Sequence, residues 1–320
     1  MIHSTVRRSI VLTTTLCAVL GGSYLAAVPA ATNPATSPDT PSHAGPPHSG
    51  CHVTPPHSQS GATPPPFRCH VDSEYDAEIL ADSPSVYWAM ENVAAGTEPD
   101  LSGSGLEGEY VASPATTTLP NGDGAAVFDG SSQFFEVGDA PELSPATTGE
   151  FTLEAWMRPD TLQFPNDESS GYVHWMGKGT AGEHEYVSRM YSLDNTSDRE
   201  NRISGYSFNL DGGLGAGSYF QDPLAAGDWI HYVLVINAEA KSAEFPNGYT
   251  KIYRDGELRD QDDLSIRGMV IVPERGDAPF RVGTRDFGSF FQGAVGKVAA
   301  YDFELPAERI AAHHDAMATM

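Results

Sequence analysis

The chain has 320 residues, with 43 acidic side chains against 18 lysines and arginines and a formal net charge of −25 at pH 7. That balance argues against nucleic acid as a partner, because a phosphate-binding face needs concentrated positive charge. It suits solubility and offers oxygen ligands to hard cations.

Arg7 and Arg8 precede an apolar stretch from Ile10 to Leu25, and small residues follow at 28–31. This predicts a secretory signal peptide over residues 1–30, hence an extracellular protein. The apolar stretch is too short and broken for a membrane span, and no later stretch approaches one. Cys17 lies inside the signal. Export puts the other two cysteines, Cys51 and Cys69, in an oxidising compartment, where the pair favours one disulfide; a bridge between two chains is the alternative. Residues 31–72 are rich in Pro, Ser, Thr and Gly, carry His43, His48, His52, His57 and His70, and hold almost no large apolar residue. They read as a disordered linker whose histidines are solvated, with metal scavenging as the rival reading.

The folded domain is expected over 73–320. A short helical turn covers 76–82 and is limited by Pro84; a strand opens at Val86. A Gly/Ser-rich connection spans 96–108, and strands follow at 125–129 and 134–137, the first running into an Asp-Gly turn. Residues 151–158 alternate strictly: Phe151, Leu153, Ala155 and Met157 on one side, Thr152, Glu154, Trp156 and Arg158 on the other. That is a strand with one apolar and one mixed face, ended by Pro159. Further strands are expected at 173–176, 204–210, 229–236 and 250–254, the last running into Asp255-Gly256, the strongest hairpin signal in the chain. Strands at 265–272, 280–283 and 295–301 and one short helix from Pro306 complete the set. Many short strands with Gly-rich turns and a single terminal helix predict an all-β, two-sheet antiparallel sandwich.

The segments Ala77–Asp82 before Tyr87-Trp88, Val127–Gly130, Phe151–Trp156, Gly227–His231, Ile252–Gly256, Phe291–Tyr301 and the closing Leu305–Ile310 occur in the order seen in laminin-G-like domains of the concanavalin A-like superfamily. The chain resembles these over residues 75–315, in their secreted bacterial type. The resemblance implies a jelly-roll β-sandwich with a short C-terminal helix. It leaves the function open between sugar-binding modules, adhesion modules and polysaccharide-degrading enzymes. It also implies a structural Ca2+ ion beside the Phe-Asp-Gly turn and the closing strand, with Asp129 as a ligand. Where many members carry an acid in that strand this chain has Gly296, so the second ligand is expected from a carbonyl or from Asp302. Asp260, Asp262 and Asp263, and Asp194, Asn195 and Asp198, are weaker alternatives.

Two groups of residues could carry function. Glu154, Trp156 and Arg158 form a plausible sugar platform, an aromatic ring flanked by groups for hydroxyls; the competing reading packs Trp156 under a loop and pairs Glu154 with Arg158. The paired carboxylates that superfamily hydrolases carry on one strand are absent from this run. The stretch 172–189 is the enzymatic suspect. His174, His184, Tyr186 and Arg189, joined by His231, supply the base, acid and cation that a lyase on acidic polysaccharide needs, and they equally make an ordinary polar loop. The reading is a secreted glycan-binding protein, with a lyase or glycoside hydrolase, and a protein-interaction module, as the alternatives.

Overall fold

Residues 73–318 are described in a computed structural model of the protein. The expected signal peptide, the linker to residue 72 and the Cys51–Cys69 pair lie outside the described residues. The domain opens with helix α1 (Glu74–Ala81), whose N-terminus is closed by a capping box between Ser73 and Asp76. Short strands β1 (Val86–Trp88), β2 (Thr97–Glu98), β3 (Gly108–Val111), β4 (Ala115–Thr118), β5 (Gly124–Asp129) and β6 (Phe134–Val137) follow. The longest strands come next: β7 (Glu150–Pro159), β8 (Tyr172–Thr180) and β9 (Glu183–Tyr191), then β10 (Ile203–Ser207) and β11 (Ala216–Phe220). The chain continues through β12 (Ile230–Asn237), β13 (Tyr249–Arg254), β14 (Glu257–Asp263), β15 (Ser265–Ile266), β16 (Met269–Val270), β17 (Phe280–Val282), β18 (Gln292–Tyr301) and helix α2 (Ala307–Ala316).

The strands form two eight-stranded sheets. The first runs β14-β13-β12-β7-β18-β5-β4, with β1 also on β18, and the second runs β11-β10-β9-β8-β17-β6-β3-β2. Pairing within both sheets is antiparallel, as in the register of Leu153 opposite Leu234 and of Val173 opposite Met190. This is the two-sheet antiparallel jelly-roll sandwich with a short C-terminal helix. Its core lies between the sheets: Leu153, Ala155 and Met157 of β7 and Tyr232, Leu234 and Ile236 of β12 face Val173, Trp175, Tyr186 and Met190 of the second sheet. The period-2 pattern of 151–158 thus points its apolar side inward, as expected. Asp255 (φ 52°) and Gly256 (φ 79°) make the tight β13–β14 turn that the Asp-Gly pair predicts.

Three local expectations change. Residues 172–191 form a long hairpin of two nine-residue strands instead of a strand and a polar loop. The stretch 265–272 is broken by a turn at Arg267 (φ 51°) and Gly268 (φ 82°) into the separate β15–β16 hairpin. The mixed face of β7 is covered. Helices α1 and α2 lie across the outer side of the first sheet, where Tyr75, Ile79 and Ile310 pack with Trp156, Val233, Val235 and Tyr253 into a second apolar cluster. Burying each of Ile79 and Ile310 contributes about 1.5–3 kcal/mol, which fastens the helices to the sheet. The outer face of the second sheet carries no such cover among the described helices, and the candidate site lies there.

Candidate functional site

The open face is built by alternation along β8, β9 and β10. Val173, Trp175, Tyr186 and Met190 point into the core, so Tyr172, His174, Arg189 and Tyr191 point out. Register sets them side by side: Tyr172 opposite Tyr191, His174 opposite Arg189, then Ser204 beside Arg189 and Tyr219 beside Ser204. Tyr206 completes the patch from β10.

Arg189 is its centre. Its guanidinium lies 3.9 Å from the Tyr172 ring and 4.8 Å from the Tyr206 ring. Its Nε and Nη2 reach His174 Nε2 at 3.2 and 3.0 Å, and its Nη1 donates to the Tyr191 hydroxyl at 3.3 Å. Arg199 Nη1 donates to the same hydroxyl at 2.7 Å. A guanidinium only donates, so His174 Nε2 accepts and the ring hydrogen sits on Nδ1. Nδ1 in turn faces Glu168 Oε1 at 2.9 Å. Nε2 of His174 is therefore taken by Arg189, Nδ1 stands at ion-pair distance from Glu168 without a hydrogen bond, and the ring is 2% exposed. Burial raises the Tyr191 hydroxyl, but the charge and hydrogen bond of Arg189, and then those of Arg199, outweigh burial and hold it below the usual phenol value. Burial and the charge of Tyr191 hold Tyr206 above that value. With 1% of its surface exposed, Tyr191 positions the two arginines instead of meeting a ligand.

A depression of about 260 Å³ opens over this patch, bounded by Tyr172, Arg189 and Tyr206 of the sheet, by Arg199 of the β9–β10 loop, and by Leu214 and Arg267. A second one of about 340 Å³ continues past His174 to His184, Arg285 and Asp286. Burial and the neighbouring Arg285 charge lower the pKa of His184, which favours the neutral ring.

A family model for the laminin-G type of the concanavalin A-like lectin/glucanases superfamily matches residues 129–311, more than half the chain. The chain belongs to this superfamily. No curated protein matches it. Among solved structures it is similar to the receptor-binding domain of botulinum neurotoxin C/D mosaic serotype (TM-score 0.53, 13% identity, 73% of this chain and 51% of that one). It is likewise similar to the ligand-binding domain of botulinum neurotoxin serotype D in complex with N-acetylneuraminic acid (TM-score 0.53, 15% identity, 76% and 52%). A third is the binding domain of botulinum neurotoxin DC in complex with SialylT (TM-score 0.52, 11% identity, 74% and 52%). The chain spans about half the length of these domains. At this identity the likeness shows the superfamily fold.

Of the residues singled out from the sequence, this face gathers His174, His184 and Arg189. Tyr186 is not among them: it points into the core, fully buried, and donates to the Leu143 carbonyl at 2.9 Å. His231 belongs to the other sheet's outer face, where Nε2 meets Glu154 Oε1 at 2.8 Å. Stacked sheets are about 10 Å apart, so residues pointing out of opposite sheets cannot share a reacting atom. Glu154 and Trp156 form no open platform. Glu154 is fully buried beneath the helices, and Trp156, 5% exposed, packs against the rings of both His231 and His314. Arg158 pairs with Asp160 at 2.8 Å rather than with Glu154, and lies 5.1 Å over Trp229.

The cation expectations also change. Asp129 spends Oδ1 on the backbone N–H groups of Ser131 and Ser132, at 2.8 and 2.9 Å, and so builds its own turn. Asp129 pairs with Gln292 at the start of β18, while Asp302 follows its end, roughly 30 Å away, so the two cannot share an ion. Two other groups among the described residues have the spacing to hold a divalent ion: Glu168, His174 and Asp286, and Asp76, Glu91 and Asp123. In the first, an ion on His174 Nδ1 would move the ring hydrogen to Nε2, against the Arg189 donors. In the second, the Lys297 ammonium sits 2.7 Å from Asp76 and 2.8 Å from Glu91 and Asp123. Lys297 follows Gly296, at a register break in β18 and with φ 54°, so a bulge turns its side chain toward α1.

Tyr191, Arg199, Arg202, Tyr219, Arg267 and Arg285 were not picked out from the sequence. Asn195, weighed there as a cation ligand, accepts the N–H groups of Ser197 and Arg199 at 3.0 and 3.1 Å and so shapes the loop that delivers Arg199. The available signal was Arg189 and Tyr191, two positions apart and so on one face at the end of β9.

Proposed function

We propose that this protein is exported and binds extracellular glycan on the outer face of the second sheet. The observation that carries the reading is Arg189, held against the rings of both Tyr172 and Tyr206 beside an open depression. Half-buried rings give a sugar flat apolar area, while guanidinium groups fixed beside them take hydroxyls without further ordering. Similar folds solved with N-acetylneuraminic acid and SialylT support the same class of ligand. Binding without turnover is preferred because the imidazole at the centre, His174, is buried with Nε2 taken by Arg189, and the phenol with the lowered pKa is buried as well. A lyase needs an accessible base, and His184 is the remaining one on this face.

The exported chain is tested for retention on a panel of immobilised glycans, with calcium and with EDTA, and the eluate is analysed for new reducing or unsaturated ends. Retention without product is expected. Product formation overturns the reading and directs mutation to His184. Retention lost on chelation places calcium at Glu168 and Asp286, the group that borders the depression; retention unchanged by EDTA assigns binding to the side chains alone. Tyr172→Ala and Tyr206→Ala each weaken binding about tenfold with the melting temperature nearly unchanged. Trp156→Ala does the reverse: it destabilises by about 3–5 kcal/mol and leaves the affinity of folded protein intact.

A further inference from the structure

The same face collects four of the five lysine and arginine side chains that pair with no described carboxylate among the described residues. Of the fifteen lysine and arginine side chains among the described residues, ten pair with a described carboxylate within 4.0 Å. The other five are Arg189, Arg199, Arg202, Lys241 and Arg267. Three of these, Arg189, Arg199 and Arg267, border one depression. Arg202 lies on the neighbouring strand edge, its guanidinium 3.8 Å over the ring of Tyr219. In a chain with 43 acidic residues and a net charge of −25, four arginines on one face with no described carboxylate within 4.0 Å leave positive charge there that is not neutralised by contact. Tyrosines take the carboxylates' place: Arg189 packs on Tyr172 and Tyr206, Arg199 on Tyr191, and Arg202 on Tyr219. Glu168 and Asp286, which line the adjoining depression, are paired with His174 and Arg285.

Tyrosine faces and hydroxyls hold an arginine in place without cancelling its charge. Arg199 uses Nη1 on Tyr191 and keeps the rest of its fork free, and Arg267 stands exposed on the β15–β16 turn across the depression. We propose that this tyrosine–arginine face recognises an acidic sugar, its anionic group (a carboxylate or a sulfate ester) received between Arg199 and Arg267 while the ring packs on Tyr172 and Tyr206. The proposal rests on the glycan-binding reading above and specifies its ligand class. A planar fork meets such a group with two parallel hydrogen bonds, a match that neutral hydroxyls do not give.

The test compares matched pairs on immobilised supports: a polyuronate and the same polymer with its carboxyls reduced to alcohols, a sialylated glycan and its desialylated parent, a sulfated glycan and its desulfated parent. Native protein and the variants R199Q, R267Q and R199Q/R267Q are compared at low and high salt, with thermal melting as the folding control. Each single variant is expected to lose about tenfold in affinity for the acidic member alone, and salt is expected to weaken that binding selectively. Preference for the carboxylated members assigns a uronate or sialate, and preference for the sulfated member assigns a sulfate ester; both support the proposal. Equal retention of the acidic and neutral members, or full acidic binding by folded R199Q/R267Q, overturns it and leaves glycan binding standing. Failure of folded native protein to retain any glycan overturns both.

Discussion

Glu154 shows what a charged residue on a strand becomes when helices close over it. Its carboxylate receives the Tyr75 hydroxyl at 2.8 Å, His231 Nε2 at 2.8 Å and His313 Nδ1 at 2.9 Å. His313 Nε2 reaches Asp82 at 2.8 Å, so the ring lies between two carboxylates and is held as an imidazolium. Burial alone would lower the pKa of His313, but the Glu154 charge and hydrogen bond, then Asp82, raise it. Burial would raise Glu154, but the His313 charge and the His231 hydrogen bond lower it. The raised histidine contributes stability that is fully present below its unfolded pKa of about 6.5 and is lost as pH rises through the folded value. The depressed carboxylate contributes stability present above about 4.5 and lost as pH falls through its folded value. The melting temperature, followed from pH 4 to 9, is expected to fall on the alkaline side, and that decline is expected to vanish in His313→Gln. An alkaline limb unchanged in that variant would show that another group governs it.

At the scale of elements, a single bulge decides how the closing strand uses its neighbours. It turns the Lys297 side chain away from the sandwich into the Asp76–Glu91–Asp123 group, which ties β18 to α1 and to the loop before β5. Burial lowers the pKa of this lysine, and the Asp76 charge with the hydrogen bonds of the cluster raises it past its ordinary value, so the ammonium is kept. Removing one partner of such a buried set costs about 3–5 kcal/mol. Lys297→Met is expected to lose that much in denaturant unfolding and to regain part of it in millimolar calcium, because carboxylates that converge on an ammonium also suit a hard cation. Calcium that stabilises native and variant protein equally would show that the cluster cannot accept the ion.

The whole molecule is a sandwich with one outer face closed by helices and the other left to solvent. The closure joins the two ends of the domain: Arg309 of α2 reaches Asp82 at 2.7 Å and Glu78 at 2.5 Å, beside α1. A chain starting at residue 73 is expected to melt with the full-length protein, which would fix the proposed domain boundary. A chain ending at Leu305 is expected to expose Trp156, Val233 and Val235, bind a hydrophobic dye and aggregate. A truncated chain that stays soluble and dye-silent would show that α2 is dispensable.

The sequence by itself determined the sandwich. Strict alternation over 151–158, the Asp255-Gly256 turn and the helix at the C-terminus act over a few residues, through pleat, turn dihedrals and caps, and each appears where its local pattern places it. The tertiary structure decided which outer face is covered. Period-2 alternation separates two faces of a strand and says nothing about what lies across them, so Glu154 and Trp156 read as part of an open platform, and His231 as a catalytic candidate, until α1 and α2 are seen over them. The binding face is equally nonlocal. Tyr172, Arg189, Arg199, Tyr206 and Arg267 come from separate strands and loops, no spacing links them, and their common property is a missing carboxylate neighbour, which exists only once the chain is folded.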